Sequence, residues 1–185
     1  MNNKNNLEEL IHWKDFTSGD ENAFSVLFKL YYPELFNFGK IYTRDKCIIN
    51  DSIQELFLDF WEKRERLSSD VNVSSYIFAG FRNKLFKQIN QGLIFKSFKK
   101  GELEVYFDLS IEEIIIQREI DLNKILKINT ILNQLSNKQK EVIYLKFYKG
   151  NSNEQIAQIL KINYQSVKNY VFRSLQIFRD ELQIN

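Results

Sequence analysis

Residues 152–175 read SNEQIAQILKINYQSVKNYVFRSL. Ser152 followed by Gln155 is a capping box, so a short helix opens there and carries Ile156, Ala157 and Leu160. Lys161-Ile162-Asn163 is a three-residue turn, and Asn163 has the side chain to cap a second, longer helix running to about Leu182. Short helix, tight turn and long helix make the helix-turn-helix spacing. Ala157 is small where the two helices cross, and Ile162 plugs the turn into the core. Val167, Val171, Leu175 and Phe178 are expected on the buried face of the long helix. Gln165, Ser166, Asn169 and Arg173 then share the outward face, with Lys168 on its flank. Amide, hydroxyl and guanidinium groups suit base edges and phosphates, and the early residues of such a helix are the ones that enter the major groove. A helical hairpin with a solvated polar face has the same periodicity, so charge is needed to separate the two.

Charge tips the balance toward DNA binding, together with the caps, the small Ala157 and the length of the turn. Residues 120–185 carry 10 Lys and Arg against 5 Asp and Glu, a net +5, whereas residues 1–90 carry 12 against 13 and residues 91–119 carry 4 against 6. The basic charge is therefore concentrated in the third that holds the helix-turn-helix, which favours a nucleic-acid surface there. The 185-residue chain is 44% hydrophobic with 16 Phe and 9 Tyr, enough for real cores, and its one Pro and 6 Gly favour helices over turn-rich β structure. No apolar run reaches the roughly 20 residues of a membrane span, and the polar start MNNKNNLEEL lacks a signal-peptide core. A lone cysteine, Cys47, excludes an internal disulfide framework and fits a reducing compartment.

Upstream, Ser18-Gly-Asp-Glu21 has the form of a capping box opening a helix with Phe24, Leu27, Phe28 and Tyr31. Pro33 is expected to stop it and to start another through Leu35, Phe36 and Ile41. A helix at roughly 48–64 follows, then the loop LSSDVNVSS, then a helix from about Val73 to Asn90. Residues 91–109 lose periodicity and read as a linker whose Phe95, Phe98, Tyr106 and Phe107 are too apolar for free coil. Ser110 and Glu113 cap a long helix to about Gln134, and Ser136 with Gln139 opens another that Gly150 can end.

The helix DSIQELFLDFWEKR, residues 51–64, is unusual. Ile53, Leu56, Phe57 and Phe60 form a core stripe, yet the opposite face sets Leu58 among Asp51, Glu55 and Glu62, with Gln54 and Trp61 beside it. A core stripe leaves Leu58 unexplained; an apolar residue inside a polar rim resembles the centre of a protein interface. In the next helix Arg82, Asn83, Lys84 and Lys87 form a polar, basic end that could meet a strand, Asn83 by pairing with an exposed base. Enzyme chemistry finds no support. His12 and Cys47 are single and far apart, no glycine-rich phosphate loop is present, and one His with one Cys cannot build a zinc site of the usual ligands.

Four stretches in order, GDENAFSVLFKLYYPELFNF, DSIQELFLDFWEKR, SYIFAGFRNKL and LNQLSNKQKEVIYLKFYKGNSNEQIAQILKINYQSVKNYVFRSL, make the chain resemble a bacterial RNA polymerase sigma factor of the extracytoplasmic-function group. The resemblance implies an all-α chain of two small domains: sigma region 2 at 1–92, a linker at 93–119 and sigma region 4 with its helix-turn-helix at 120–185. It implies an alternative sigma factor that binds core RNA polymerase at clamp and flap and directs promoter-specific initiation, without cofactor, metal or small-molecule substrate. Carried over by position, Asp51, Gln54, Glu55, Leu58 and Trp61 bind polymerase. Arg82, Asn83, Lys84 and Lys87 engage the −10 element, and Gln165, Ser166, Lys168, Asn169 and Arg173 the −35 element. The family is cytoplasmic, joins the nucleoid as holoenzyme, and commonly has a membrane-associated anti-sigma factor. The competing reading is a polymerase-independent helix-turn-helix regulator with an N-terminal sensor or dimerisation module.

Overall fold

The computed structural model describes residues 2–95 and 122–182, with side chains over 7–91 and 127–182. All regular structure among these residues is helical. The chain divides into two compact units, Met1–Gly101 and Glu102–Asn185, and the division falls inside the expected linker. None of the described helices is long and apolar enough to cross a membrane.

The first unit packs α1 (Asn2–Thr17), α2 (Glu21–Lys40), α3 (Lys46–Lys63) and α4 (Val73–Phe95), with a 3₁₀ turn Arg64–Arg66 after α3. Each boundary has a local cause. Gly19 holds φ +100°, and the Gly19 and Asp20 N–H groups return to the carbonyls of Phe16 and Asp15, closing α1. Asp20 then caps α2, its carboxylate accepting from the N–H groups of Asn22 (2.7 Å) and Ala23 (3.1 Å). The sequence assigns this cap to Ser18, but the Ser18 hydroxyl donates to the Lys14 carbonyl and belongs to the end of α1. Asp45 caps α3 through Cys47 and Ile48, and Asn72 caps α4 through Ser75.

Two boundaries differ from the sequence reading. Pro33 does not end a helix; α2 runs through it. The buried stripe Ala23, Leu27, Tyr31, Leu35 and Phe38 continues at helical period across the proline. Pro33 and Lys29, whose carbonyl loses its partner, are both exposed, so water can satisfy that carbonyl. Packing of the shared face outweighs a penalty of about 3 kcal/mol. Helix α4 continues to Phe95, so its last turn takes residues 93–95 from the expected linker. The cap at Ser110 and the docking of Phe98, Tyr106 and Phe107 lie outside the described residues.

Helix α1 is absent from the sequence reading; among its described side chains Trp13 and Phe16 are the fully buried ones. The Trp13 ring meets Phe16, Phe60 and Tyr76 at centroid distances of 5.4, 5.6 and 5.6 Å. Its indole N–H donates to the Ser68 carbonyl at 2.9 Å, tying down the loop before α4. Helices α3 and α4 approach closely at Gly80, where a Cβ would lie 2.8 Å from Leu56. That contact fixes the seam on which the candidate site is built.

The second unit comprises α5 (Leu122–Gln134), α6 (Asn137–Ile143) widening into a π turn at Tyr144–Tyr148, α7 (Asn153–Leu160) and α8 (Tyr164–Leu182). Ser136–Gln139 and Ser152–Gln155 are both reciprocal capping boxes. Gly150 takes φ +70°, as a residue ending a helix does. The three-residue turn is a Schellman closure: the Ile162 N–H reaches the Ala157 carbonyl at 3.1 Å and Lys161 the Gln158 carbonyl at 3.4 Å. Lys161 holds φ +53° there, a conformation that favours glycine. Lys161→Gly is therefore expected to raise the stability of this unit by about 1 kcal/mol, read as a higher denaturant midpoint. A midpoint that falls would mean that the lysine side chain contributes more than its backbone costs.

On α8 the buried positions are Val167 and Ser174. Leu175, which the sequence places in the core, is 46% exposed. Ser174 lies two turns from Val167 and is buried, its hydroxyl donating to the Tyr170 carbonyl at 2.8 Å. The face thus follows 167, 174 and the half-buried 177 and 178, and Leu175 stands 100° from Ser174, outside the tight contact.

Candidate functional site

In α3 the two faces separate as the sequence predicts. Ile53, Leu56, Phe57 and Phe60 are buried, whereas Leu58 is 61% exposed. Asp51, Gln54 and Glu62 are exposed on the same side. Trp61 lies half-buried at the flank. Its ring packs at 5.2 Å from Phe24, and the Arg64 guanidinium covers it at 4.7 Å. Part of this tryptophan is therefore structural, joining α3 to α2. Glu55 turns away from the open face. Its carboxylate accepts from Lys84 Nζ at 2.7 Å and from Gln88 Nε2 at 3.1 Å, both on α4.

The same ammonium pairs with Asp59, and Asp59 is also 3.4 Å from Lys63. Hydrogen bonds from Lys84 hold both carboxyl groups below their usual range, helped at Glu55 by Gln88. A depressed folded-state value stabilises above the ordinary carboxylate range, and that stability is lost as pH falls through it. The acid limb of unfolding for this unit is accordingly expected to become shallower in Asp59→Asn than in wild type. Parallel limbs in urea titrations between pH 6 and pH 3 would remove Asp59 as a source.

Of the four −10 candidates on α4, Asn83 and Lys87 are exposed, one turn apart on one face. Arg82 lies with its guanidinium 4.2 Å from the Phe86 ring centre, and that ring packs on Tyr42 at 5.0 Å. Lys84 is only 18% exposed in its side chain, enclosed by the carboxylates. The sequence brings the four together in one segment; the tertiary structure divides them between the solvent face and the α3 seam.

The helix-turn-helix presents its candidates on one outward surface. Gln165, Lys168, Asn169 and Arg173 are exposed and Ser166 is half-buried. Asn163 caps α8 as expected, accepting from the Ser166 N–H at 2.7 Å. The Gln165 amide donates to Asn169 Oδ1 at 3.1 Å, which aligns two amides one turn apart. Lys168 Nζ stands 5.9 Å from the Tyr164 ring centre. Sequence reasoning missed Phe172, 63% exposed beside Arg173, and Lys161, whose left-handed backbone no spacing rule signals.

A second feature was also not legible. An apolar groove of about 320 Å³ opens in the second unit between Leu132, Ile143, Phe147, Tyr148, Leu175 and Phe178. The π turn creates part of it. One extra residue per turn rotates Phe147 and Tyr148 outward, where they are 59% and 56% exposed. Tyr148 is backed by Tyr144 in a stacked pair at 4.8 Å.

Residues 125–177 match the family model for sigma-70, region 4. The stretch contains both capping boxes, most of the groove lining and the helix-turn-helix as far as Ile177. Among solved structures, the chain is similar to that of CnrH in complex with the cytosolic domain of CnrY. Identity there is 17%, coverage 96% of this chain and 98% of that chain, and TM-score 0.63. It is also similar to the sigma factor RpoE from Bartonella quintana, in a co-crystal structure with the anti-sigma factor NepR. Identity there is 20%, coverage 88% and 98%, and TM-score 0.60. No curated protein matches the sequence. The C-terminal unit contains the sigma-70, region 4 match, and the chain has the all-α fold of these structures. Similarity to sigma-70, region 4, is thus confined to residues 125–177, and the likeness to the solved structures is one of fold.

Proposed function

We propose that the chain acts as an alternative sigma factor through three surfaces, each supported by its exposure and chemistry. The outward stripe of α3, Asp51, Gln54 and Leu58 with Trp61 at its edge, meets core RNA polymerase; Glu55 borders it with its carboxylate turned to α4. Asn83 and Lys87, flanked by Arg82, engage the unpaired −10 strand. Gln165, Ser166, Lys168, Asn169 and Arg173 read the −35 duplex. The apolar groove of the second unit offers a further contact to the polymerase flap. The first unit thus corresponds to region 2 and the second to region 4, and the chain works in the cytoplasm. That the two solved relatives are complexes, one of them with a named anti-sigma factor, supports an anti-sigma partner here as well.

The chemistry is non-covalent. Melting a promoter becomes favourable when captured bases recover the lost stacking, roughly 1–3 kcal/mol per base. Polymerase supplies most of the binding, so a first unit of nearly neutral charge is sufficient. The region-4 match over a well-formed helix-turn-helix is the observation that carries this reading. Its test is reconstitution: purified chain with core polymerase should initiate at discrete start sites. Binding of duplex DNA alone, with no association with core, would instead support an independent regulator. Within the reconstituted system Arg173→Ala should reduce promoter use to a similar extent across −35 variants and lower the salt slope of binding by about one unit. Loss confined to one −35 base would make Arg173 a base reader.

A further inference from the structure

Along α4, Gly80, Lys84 and Gln88 lie at successive turns of one face and all meet α3. Gly80 closes on Leu56, Lys84 is held by Glu55 and Asp59, and Gln88 donates to Glu55. We propose that Lys84 is a positioning residue rather than a nucleic-acid contact: clamped between Glu55 and Asp59, it fixes the register of α4 on α3, and thereby aims Asn83 and Lys87 at the −10 strand while Leu58 faces polymerase. This inference rests on the sigma-factor reading above.

Several observations converge on that role. A lysine that reaches for phosphate keeps its ammonium in solvent; this one is largely covered. To meet a phosphate it would have to leave two charge-assisted hydrogen bonds, one of them 2.7 Å long, for one new partner. The carboxylates are fixed in turn, Glu55 by Gln88 at 3.1 Å and Asp59 by Lys63 at 3.4 Å. Register matters because one residue of slip turns a helix face by 100°. Asn83 and Lys87 would then turn away from the exposed face they now share. The clamp also places the strand-reading face and the polymerase-facing helix in one rigid seam. A shift of α3 on docking is thereby transmitted to the positions of Asn83 and Lys87.

The test uses holoenzyme and a promoter fragment from a mapped start site, with its −10 segment held open by mismatches. Lys84→Met and Asp59→Asn should each lower affinity for this fragment about threefold or more, with core affinity and the salt slope unchanged. The double variant Asp59→Asn with Lys84→Met should lose little more than Lys84→Met alone, as partners in one clamp do. If Lys84 contacts phosphate instead, Lys84→Met lowers the salt slope by about 0.7, while Asp59→Asn tightens binding by freeing the lysine; either result overturns the proposal. Parallel loss of core and strand affinity, or losses that simply add in the double variant, reduces Lys84 to a general stabiliser and also overturns it. A wild-type chain that forms no holoenzyme sinks the sigma-factor reading itself, an outcome distinct from these.

Discussion

Leu58→Asp is expected to weaken binding to core RNA polymerase by tenfold or more while leaving the fold in place. Leu58 is 61% exposed at the centre of the α3 stripe, with acids and an amide around it. Covering a leucine fully contributes about 1.5–3 kcal/mol, and most of this side chain is still available to be covered. The aspartate removes that gain and adds a carboxylate that must lose water in the contact. A factor of ten corresponds to about 1.4 kcal/mol, so the combined loss exceeds it. Stability should change little, because the side chain is mostly exposed and the helix-propensity difference is only a few tenths of a kcal/mol. Glu62→Gln, at the rim, should alter the salt dependence of association more than affinity. Fluorescence titration of labelled chain against core measures both. An unchanged dissociation constant for Leu58→Asp would remove this face from the interface.

Trp13→Ala should have the largest effect on stability, about 3–5 kcal/mol. The ring is 1% exposed and touches side chains from α1, α3 and α4 at once. Its loss leaves a cavity that three separate helices cannot collapse together, and it frees the Ser68 carbonyl from the indole N–H. For a domain whose total stability is of order 5–15 kcal/mol, the loss is a large share. Trp13→Phe keeps the ring contacts and gives up the hydrogen bond, so it should cost much less, about 1 kcal/mol. Urea denaturation of the two variants separates packing from hydrogen bonding. Equal losses would mean that the bond to Ser68, which holds the loop before α4, outweighs the ring contacts.

Much of the molecule was legible because local rules govern it. The boxes Ser136–Gln139 and Ser152–Gln155, the Asn163 cap and the exposed Leu58 all follow from side-chain chemistry within one or two turns. Where reading failed, a distant partner decided. Pro33 stays inside α2 because residues on both sides of it share one core face. Leu175 leaves the core because Ser174, smaller, fits the tighter contact. Helix α1 fully buries Trp13 and Phe16 among its described side chains, and it is the aromatic neighbours from α3 and α4 that give Trp13 its place.

The candidate site divides in the same way. The sequence by itself determined the helical class, the helix-turn-helix with its outward amides and Arg173, and the two-faced helix around Leu58. Periodicity and capping reach no further than a few residues, and these features need no more. Only the tertiary structure decided that Glu55 and Lys84, assigned by the family resemblance to separate surfaces, face each other 2.7 Å apart. It also decided that a π turn opens a groove beside Phe147 and Leu175. An ion pair 29 residues apart in sequence forms only once two helices have been brought together, here by a core that reaches down to the missing side chain of Gly80, and no local rule sees a partner that far away.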